Sequence, residues 1–186
     1  MKSFENLTLT SSTFEQHKKG EYFNCLFKEI DFSNFNFSGF KFLECEFIDC
    51  NLSISNLNNT YFQQVHFSNC KMLGIHFDYI NPFGLEMSFE NCLLNHSIFY
   101  QLKLKGTKFK SCNLFEVDFS ECDLSEVRFE NCDLTGAVFE RTNLFAADFT
   151  LATNFTIDPN LNKIKNAKFS LNGLPGLLSN YGIQIS

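Results

Sequence analysis

An apolar residue recurs at every fifth position along most of this chain. The first run is Phe27, Phe32, Phe37, Phe42, Phe47, Leu52, Leu57, Phe62, Phe67, Met72 and Phe77. The second is Leu94, Phe99, Leu104, Phe109, Leu114, Phe119, Leu124, Phe129, Leu134, Phe139, Leu144 and Phe149. All 23 positions are apolar in a chain that is 44% hydrophobic, an outcome with a chance probability on the order of one in a hundred million. On a helix, a step of five carries the chain well past a full circle, so the rings would spiral round the axis. On a flat strand, an odd step sends successive rings to opposite faces. The chain must turn once per five residues, so that each central residue points the same way. A solenoid of short extended sides joined by corners does this.

The position two residues before each central residue is a second interior site. It holds mostly small groups, and all eight cysteines lie there: Cys25, Cys45, Cys50, Cys70, Cys92, Cys112, Cys122 and Cys132. Cys25 to Cys45, Cys50 to Cys70, and Cys92 to Cys112 to Cys132 are each spaced by 20, which predicts four sides per coil. Phe35 and Phe40 are large for this site, and a local distortion of their coil is expected. A zinc centre needs thiolates converging on one point, whereas stacked coils align them in a ladder. Buried, unbridged thiols without metal are the expectation.

Runs such as Cys112-Asn-Leu-Phe-Glu, Val117-Asp-Phe-Ser-Glu, Cys122-Asp-Leu-Ser-Glu and Cys132-Asp-Leu-Thr-Gly resemble those of pentapeptide repeat proteins. That resemblance implies an all-β fold, a right-handed quadrilateral parallel β-helix of six to seven coils, with a short C-terminal helical cap. The break Asn81-Pro-Phe-Gly-Leu-Glu-Met-Ser-Phe-Glu-Asn-Cys92, the segment from Ile157 to Ile164 and the tail from Gly173 to Ile185 are similar to the Qnr and microcin-immunity branch. Its members protect bacterial DNA gyrase from inhibitors. The two projecting loops common in Qnr proteins are absent, because both runs proceed without insertion.

The division that follows is an N-terminal cap over 1–21, a β-helix over 22–152 and a C-terminal helix and strand tail over 153–186. Within the β-helix, 78–91 form a bulge. Two residues in excess of three repeats separate Phe77 from Leu94. If they bulge outward, Cys50, Cys70, Cys92, Cys112 and Cys132 form one column. His17 to Gly20 is expected to turn between two phases of the pattern. In the tail, Asp158-Pro159 suits a helix start and Ala167 to Phe169 an extended piece. A helix is expected over 172–181, ended by Gly182, then a strand over Ile183-Gln-Ile185.

Function is constrained by charge and by missing motifs. Among 186 residues, 21 acids against 15 bases give a formal charge of −6, which argues against binding nucleic acid through a basic face. No apolar stretch is long enough to span a membrane. The opening Met1-Lys2-Ser3-Phe4-Glu5 lacks a signal-peptide pattern, so a cytoplasmic location is expected. No phosphate loop, dinucleotide fingerprint or zinc-protease motif occurs, and no catalytic residues or cofactors are expected. Residues 111–150 carry Glu116, Asp118, Glu121, Asp123, Glu126, Glu130, Asp133, Glu140 and Asp148 against Arg128 and Arg141, a net charge of −7. Twenty-residue stacking is expected to set Glu121 beside Arg141, Lys110 beside Glu130 and Arg128 beside Asp148.

These features predict two alternative roles. In the first, the acids imitate a DNA backbone, and the rod binds DNA gyrase or topoisomerase IV as an immunity protein or antibiotic-resistance factor. The bulge residues Tyr79, Asn81, Pro82, Phe83 and Glu86 then supply specific contact. In the second, the rod is a scaffold for protein–protein interaction with no gyrase role. Leu174, Leu177, Leu178, Tyr181, Ile183 and Ile185 are many apolar groups for a chain end, and the resemblance implies a homodimer joined there.

Overall fold

The computed structural model describes residues 2–14 and 19–184. Its strands are β1 (Lys2–Glu5), β2 (Thr8–Leu9), β3 (Gly20–Phe23), β4 (Leu26–Lys28), β5 (Lys41–Leu43), β6 (Glu46–Ile48), β7 (Tyr61–Gln63) and β8 (Val65–Ser68). After the break come β9 (Met87–Glu90), β10 (Lys108–Lys110), β11 (Arg128–Glu130), β12 (Asp148–Phe149) and β13 (Lys168–Phe169). All pair in parallel. One side of the solenoid is the sheet β1-β3-β5-β7, and the next is the nine-stranded sheet β2-β4-β6-β8-β9-β10-β11-β12-β13. Isolated parallel bridges such as Asp31 with Asn51 and Asn36 with Asn56 join the other two sides. The result is a four-sided parallel β-solenoid of about eight turns.

Register follows the sequence period. Phe27 pairs with Phe47, Phe47 with Phe67, and Phe109 with Phe129, all 20 residues apart. The coil count exceeds the expected six to seven because both ends add strands. Residues 2–14 carry β1 and β2, with Lys2 opposite Gly20 and Thr8 opposite Leu26, in a coil of 18. At the other end Asp148 pairs with Lys168. His17 and Lys18, expected in a turn, lie outside the described residues.

Central residues fill the axis, and they stack like coins on the long sheet. Ring centroids run 4.5 Å from Phe27 to Phe47, 5.1 Å from Phe89 to Phe109 and 5.3 Å from Phe109 to Phe129. These values track the ~4.8 Å spacing of neighbouring strands. The eight cysteines are buried and unbridged. Seven of the thiols donate to carbonyls of the coil below, as from Cys45 Sγ to the Tyr22 oxygen at 3.3 Å and from Cys70 Sγ to that of Phe47 at 3.3 Å, while Cys112 donates to Lys110 of its own coil. Cys92 Sγ donates likewise to Phe67, which places it in the column with Cys50, Cys70, Cys112 and Cys132.

Corners rest on two local devices. An Asx residue just before the central position accepts the amide two residues on: Ser33 donates to Asp31 at 2.9 Å and Ser53 to Asn51 at 3.1 Å. Two residues after the central position, the backbone turns left-handed, with φ of 59° at Asn34, 51° at Glu116 and 58° even at the β-branched Ile54. Glycine takes some of these corners, as at Gly39 and Gly106, because it lacks the Cβ that clashes there.

The expected distortion at Phe35 and Phe40 is absent. Phe32 donates to Asn51 at 2.6 Å, Phe37 to Asn56 at 2.9 Å and Tyr61 to Phe40 at 2.9 Å, so the ladder is continuous there. Phe40 lies parallel to the Tyr22 and Phe42 rings, while half-buried Phe35 packs edge-on against Phe14 of the single turn α1 (Ser11–Phe14). Smaller groups above them, Ser55 and Thr60, leave the volume these rings need.

The tail also differs in part. Asp158 begins a tight turn, accepting the Asn160 amide at 2.8 Å. The helical segment comprises a 3-10 turn (Leu171–Gly173), α2 (Pro175–Leu178) and a 3-10 turn (Ser179–Tyr181), ended by left-handed Gly182. Gly173 and Gly176 press on Phe155, where a Cβ would come within 2.7 and 2.2 Å of its atoms. This contact closes the last coil. Ile183 and Gln184 form no strand; Ile185 lies outside the described residues.

Candidate functional site

The nine acids of residues 111–150 divide by position within the repeat. Asp118, Asp123, Asp133 and Asp148 stand just before central residues and accept the amides of Ser120, Ser125, Thr135 and Thr150 at 2.8, 3.1, 3.1 and 3.0 Å. They are half-buried and hold corners. The Thr135 hydroxyl and the Asn154 amide keep the Asp133 carboxyl below its ordinary pKa, and the Thr150 hydroxyl does the same for Asp148. Their charge is therefore present at neutral pH. Glu116, Glu126, Glu130 and Glu140 are exposed, and Glu121 is half-buried beneath Arg141 at 2.7 Å. Glu116 faces His96 at 3.1 Å and Glu126 faces Lys105 at 3.1 Å. The acids thus lie on several sides of the C-terminal half of the rod.

Of the three cross-coil pairs expected, Glu121 with Arg141 forms. Lys110 is in register with Glu130 but binds Glu90, one coil below, at 2.7 Å. Arg128 is in register with Asp148, whose ion contact is Lys168 at 3.9 Å. Each side chain has a neighbour both above and below, and stacking distance alone does not select between them.

The bulge is confined to a few residues. Asn81 pairs with Tyr61, 20 residues back, whereas Met87 pairs with Val65, 22 residues back. The two extra residues therefore lie between Asn81 and Met87. Tyr79 is 56% and Phe83 78% exposed, with Tyr79 stacked on His76 at 5.0 Å. Asn81 bonds Asn59 at 2.8 Å and accepts the Phe83 amide at 3.0 Å. Pro82 and Glu86 are exposed. At the far end, Leu174, Leu178, Tyr181 and Ile183 are exposed, as is Leu171, while Leu177 packs partly against the core.

Among the described residues no group of His, Cys, Asp and Glu converges on a metal-sized site, and no helix is long and apolar enough to cross a membrane. Burial pushes the Cys45 and Cys122 thiols up to about 12. In the five-cysteine column, Cys50, Cys92 and Cys132 are raised by contact with neighbouring thiols and by burial.

A four-sided parallel solenoid with five-residue sides and a Phe-filled axis defines a class of repeat protein. The sequence profile of the pentapeptide repeat region matches residues 21–81 and 85–176, so the chain belongs to the pentapeptide repeat proteins. The gap in that match falls at the bulge. No curated protein sequence matches. Among solved structures, a trypsin-treated form of QnrB1, a plasmid-mediated fluoroquinolone resistance protein, is 17% identical with a TM-score of 0.50, over 99% of this chain and 97% of its own. Full-length QnrB1 is 18% identical with a TM-score of 0.50, over 98% and 100%. HetL, involved in heterocyst differentiation regulation in Nostoc sp. strain PCC 7120, is 15% identical with a TM-score of 0.46, over 89% and 84%. The two QnrB1 structures share this chain's fold.

Proposed function

We propose that this protein is a non-enzymatic DNA mimic that binds DNA gyrase or topoisomerase IV in the cytoplasm and shields it from inhibitors. The observation that carries the reading is the net charge of −7 over residues 111–150, set on a rod whose coils are bonded to one another along the C-terminal half. Four of its carboxylates are fixed by backbone amides, so the field is held in place. A protein that grips DNA through a basic surface meets in this rod a rigid acidic ligand, and encounter driven by such charge weakens with salt. The fold shared with QnrB1 supports the same reading. The two-residue bulge is the one insertion in the 20-residue register between Gly20 and Lys168, so protection of the immunity type fits this chain better than protection through projecting loops.

The test is gyrase supercoiling and cleavage-complex formation with a fluoroquinolone or peptide poison, with and without this protein. Protection or inhibition at micromolar concentration is expected. It should be lost when Glu116, Glu126, Glu130 and Glu140 are changed to Lys, a set that leaves the Asx corners intact. If wild-type protein has no effect and does not bind the topoisomerase, the scaffold role replaces this one. The same reading includes a twofold dimer through the exposed tail. Leu174→Glu with Leu178→Glu should convert dimers to monomers on light scattering at micromolar concentration. A wild-type monomer under those conditions removes the dimer from the proposal.

A further inference from the structure

The ladder of hydrogen bonds opens between Asn81 and Lys103, and on the preceding side it also lapses between Asn56 and His76. Asn81 is bridged to Tyr61 below, and Lys103 to Asp123 above, yet nothing joins Asn81 to Lys103. On the other three sides the same two coils are held together by Lys71 with Leu93, His76 with Ile98, and β9 with β10. The cause is Pro82. It occupies the place of Phe62 below and Leu104 above, and it has no amide to donate. Its counterpart Leu104 donates to Asp123 at 2.8 Å, and Gly106 to Ser125 at 2.9 Å. The corresponding Gly84 amide donates to nothing in the coil above. Instead the segment leans on the coil beneath, with Glu86 donating to the Phe62 carbonyl at 3.1 Å and Gly84 lying against Gln63.

The opening leaves a groove of about 710 Å³, lined by Gln63, His66, Leu85, Lys103, Lys105 and Lys108, with Glu86 as its acid. That size falls within the range of built ligand sites, about 300–1,000 Å³. The Lys103 and Gly84 amides and the Ile80, Lys103 and Lys105 carbonyls have no backbone partner among the described residues. Residues 101–110 carry four lysines and no acid. Lys105 and Lys110 are paired with Glu126 and Glu90, whereas no carboxylate among the described residues lies within ion-pair distance of Lys103 or Lys108.

We propose that this groove binds an extended, acidic segment of a partner protein by adding it to the open edge at Lys103–Lys105. Strand addition satisfies backbone donors and acceptors together, and the edge offers both. A phosphate backbone offers acceptors alone and leaves the Lys103 and Lys105 carbonyls unmet. Alternate side chains of an added strand point the same way, so acids at every second position meet Lys103 and Lys108 while apolar groups between them meet Leu85. The site borders the acidic half of the rod, where Lys105 meets Glu126, and peptide binding there is read without any topoisomerase present.

The test uses a fluorescein-labelled, end-blocked decapeptide alternating glutamate and valine, its lysine–valine counterpart and a labelled oligothymidylate, titrated by anisotropy. The glutamate peptide is expected to bind at least tenfold more tightly than either control. It should slow amide hydrogen exchange at 103–105. Lys103→Glu with Lys108→Glu should weaken it at least tenfold, and Pro82→Leu, which restores the missing donor and apolar side chain, should weaken it comparably. No binding at millimolar peptide, binding indifferent to the lysine reversals, unchanged exchange at 103–105, or tighter binding of the oligothymidylate would each overturn the proposal.

Discussion

Replacing Phe109 with Ala puts the axial stack under direct test. Phe109 is fully buried, lies parallel to Phe89 at 5.1 Å and Phe129 at 5.3 Å, and meets Phe99 and Phe119 edge-on at 6.2 and 5.9 Å. Truncating a buried Phe to Ala costs about 3–5 kcal/mol, and each aromatic pair adds about 0.5–1.5 kcal/mol beyond area. The upper end, about 5 kcal/mol, is expected here because coils above and below prevent collapse of the void. Phe169 provides the control. It is half-buried at the end of the same stack, with Phe149 at 5.3 Å and Phe155 at 5.6 Å, so Phe169→Ala should cost about 2 kcal/mol. In urea, followed by far-UV circular dichroism because the chain has no Trp, the midpoints should fall by about 2 M and about 1 M for an m-value near 2–2.5 kcal/mol/M. Nearest-neighbour energetics require this gradient from middle to end. Equal shifts for the two variants would refute it.

Three further outcomes are expected. Ile54→Asn should raise stability by about 1 kcal/mol in the same urea titration, since a β-branched residue is held at φ 58° on an exposed corner where Asn is better tolerated. Acid should destabilise the rod through Asp133 and Asp148, whose folded pKa values are depressed. Their contribution is fully present above the unfolded value near 3.9 and is lost as pH falls through the folded values. Asp133→Asn with Asp148→Asn keeps the turn acceptors, so its urea midpoint should drop less than wild type between pH 7 and about pH 3. Iodoacetamide should leave the thiols essentially unlabelled in native protein at pH 8 and modify eight in denaturant, read by intact mass, because all eight are buried; rapid labelling of the native chain would contradict this packing.

The five-residue period placed the central residues, the cysteine column and the side on which Cys92 falls, because burial of one residue per side dominates the fold. What it left unseen depends on contacts the period does not encode. The first coil was masked by its 18-residue length, which shifts Phe4 and Leu9 out of phase with Tyr22 and Phe27. The acids looked alike as residues, yet Asp118, Asp123, Asp133 and Asp148 close corners while Glu116, Glu126, Glu130 and Glu140 face outward. An Asp just before the central residue, followed two places later by Ser or Thr, is the signal that separates them. Pro82 at a central position was the visible mark of the open ladder. Reading it required knowing that Phe62 and Leu104 occupy the equivalent places.

Each coil is bonded only to the coils beside it, and the described chain begins at one end of the stack and finishes at the other. Tension between the ends therefore loads the hydrogen bonds of a terminal coil one after another rather than all together. Such a rod peels. A regular coil of 20 residues releases about 70 Å of chain when drawn out at ~3.5 Å per residue, and the lengthened coil at Asn81–Met87 a little more. Missing bonds at Pro82 make that coil the mechanical weak point between two stiffer halves.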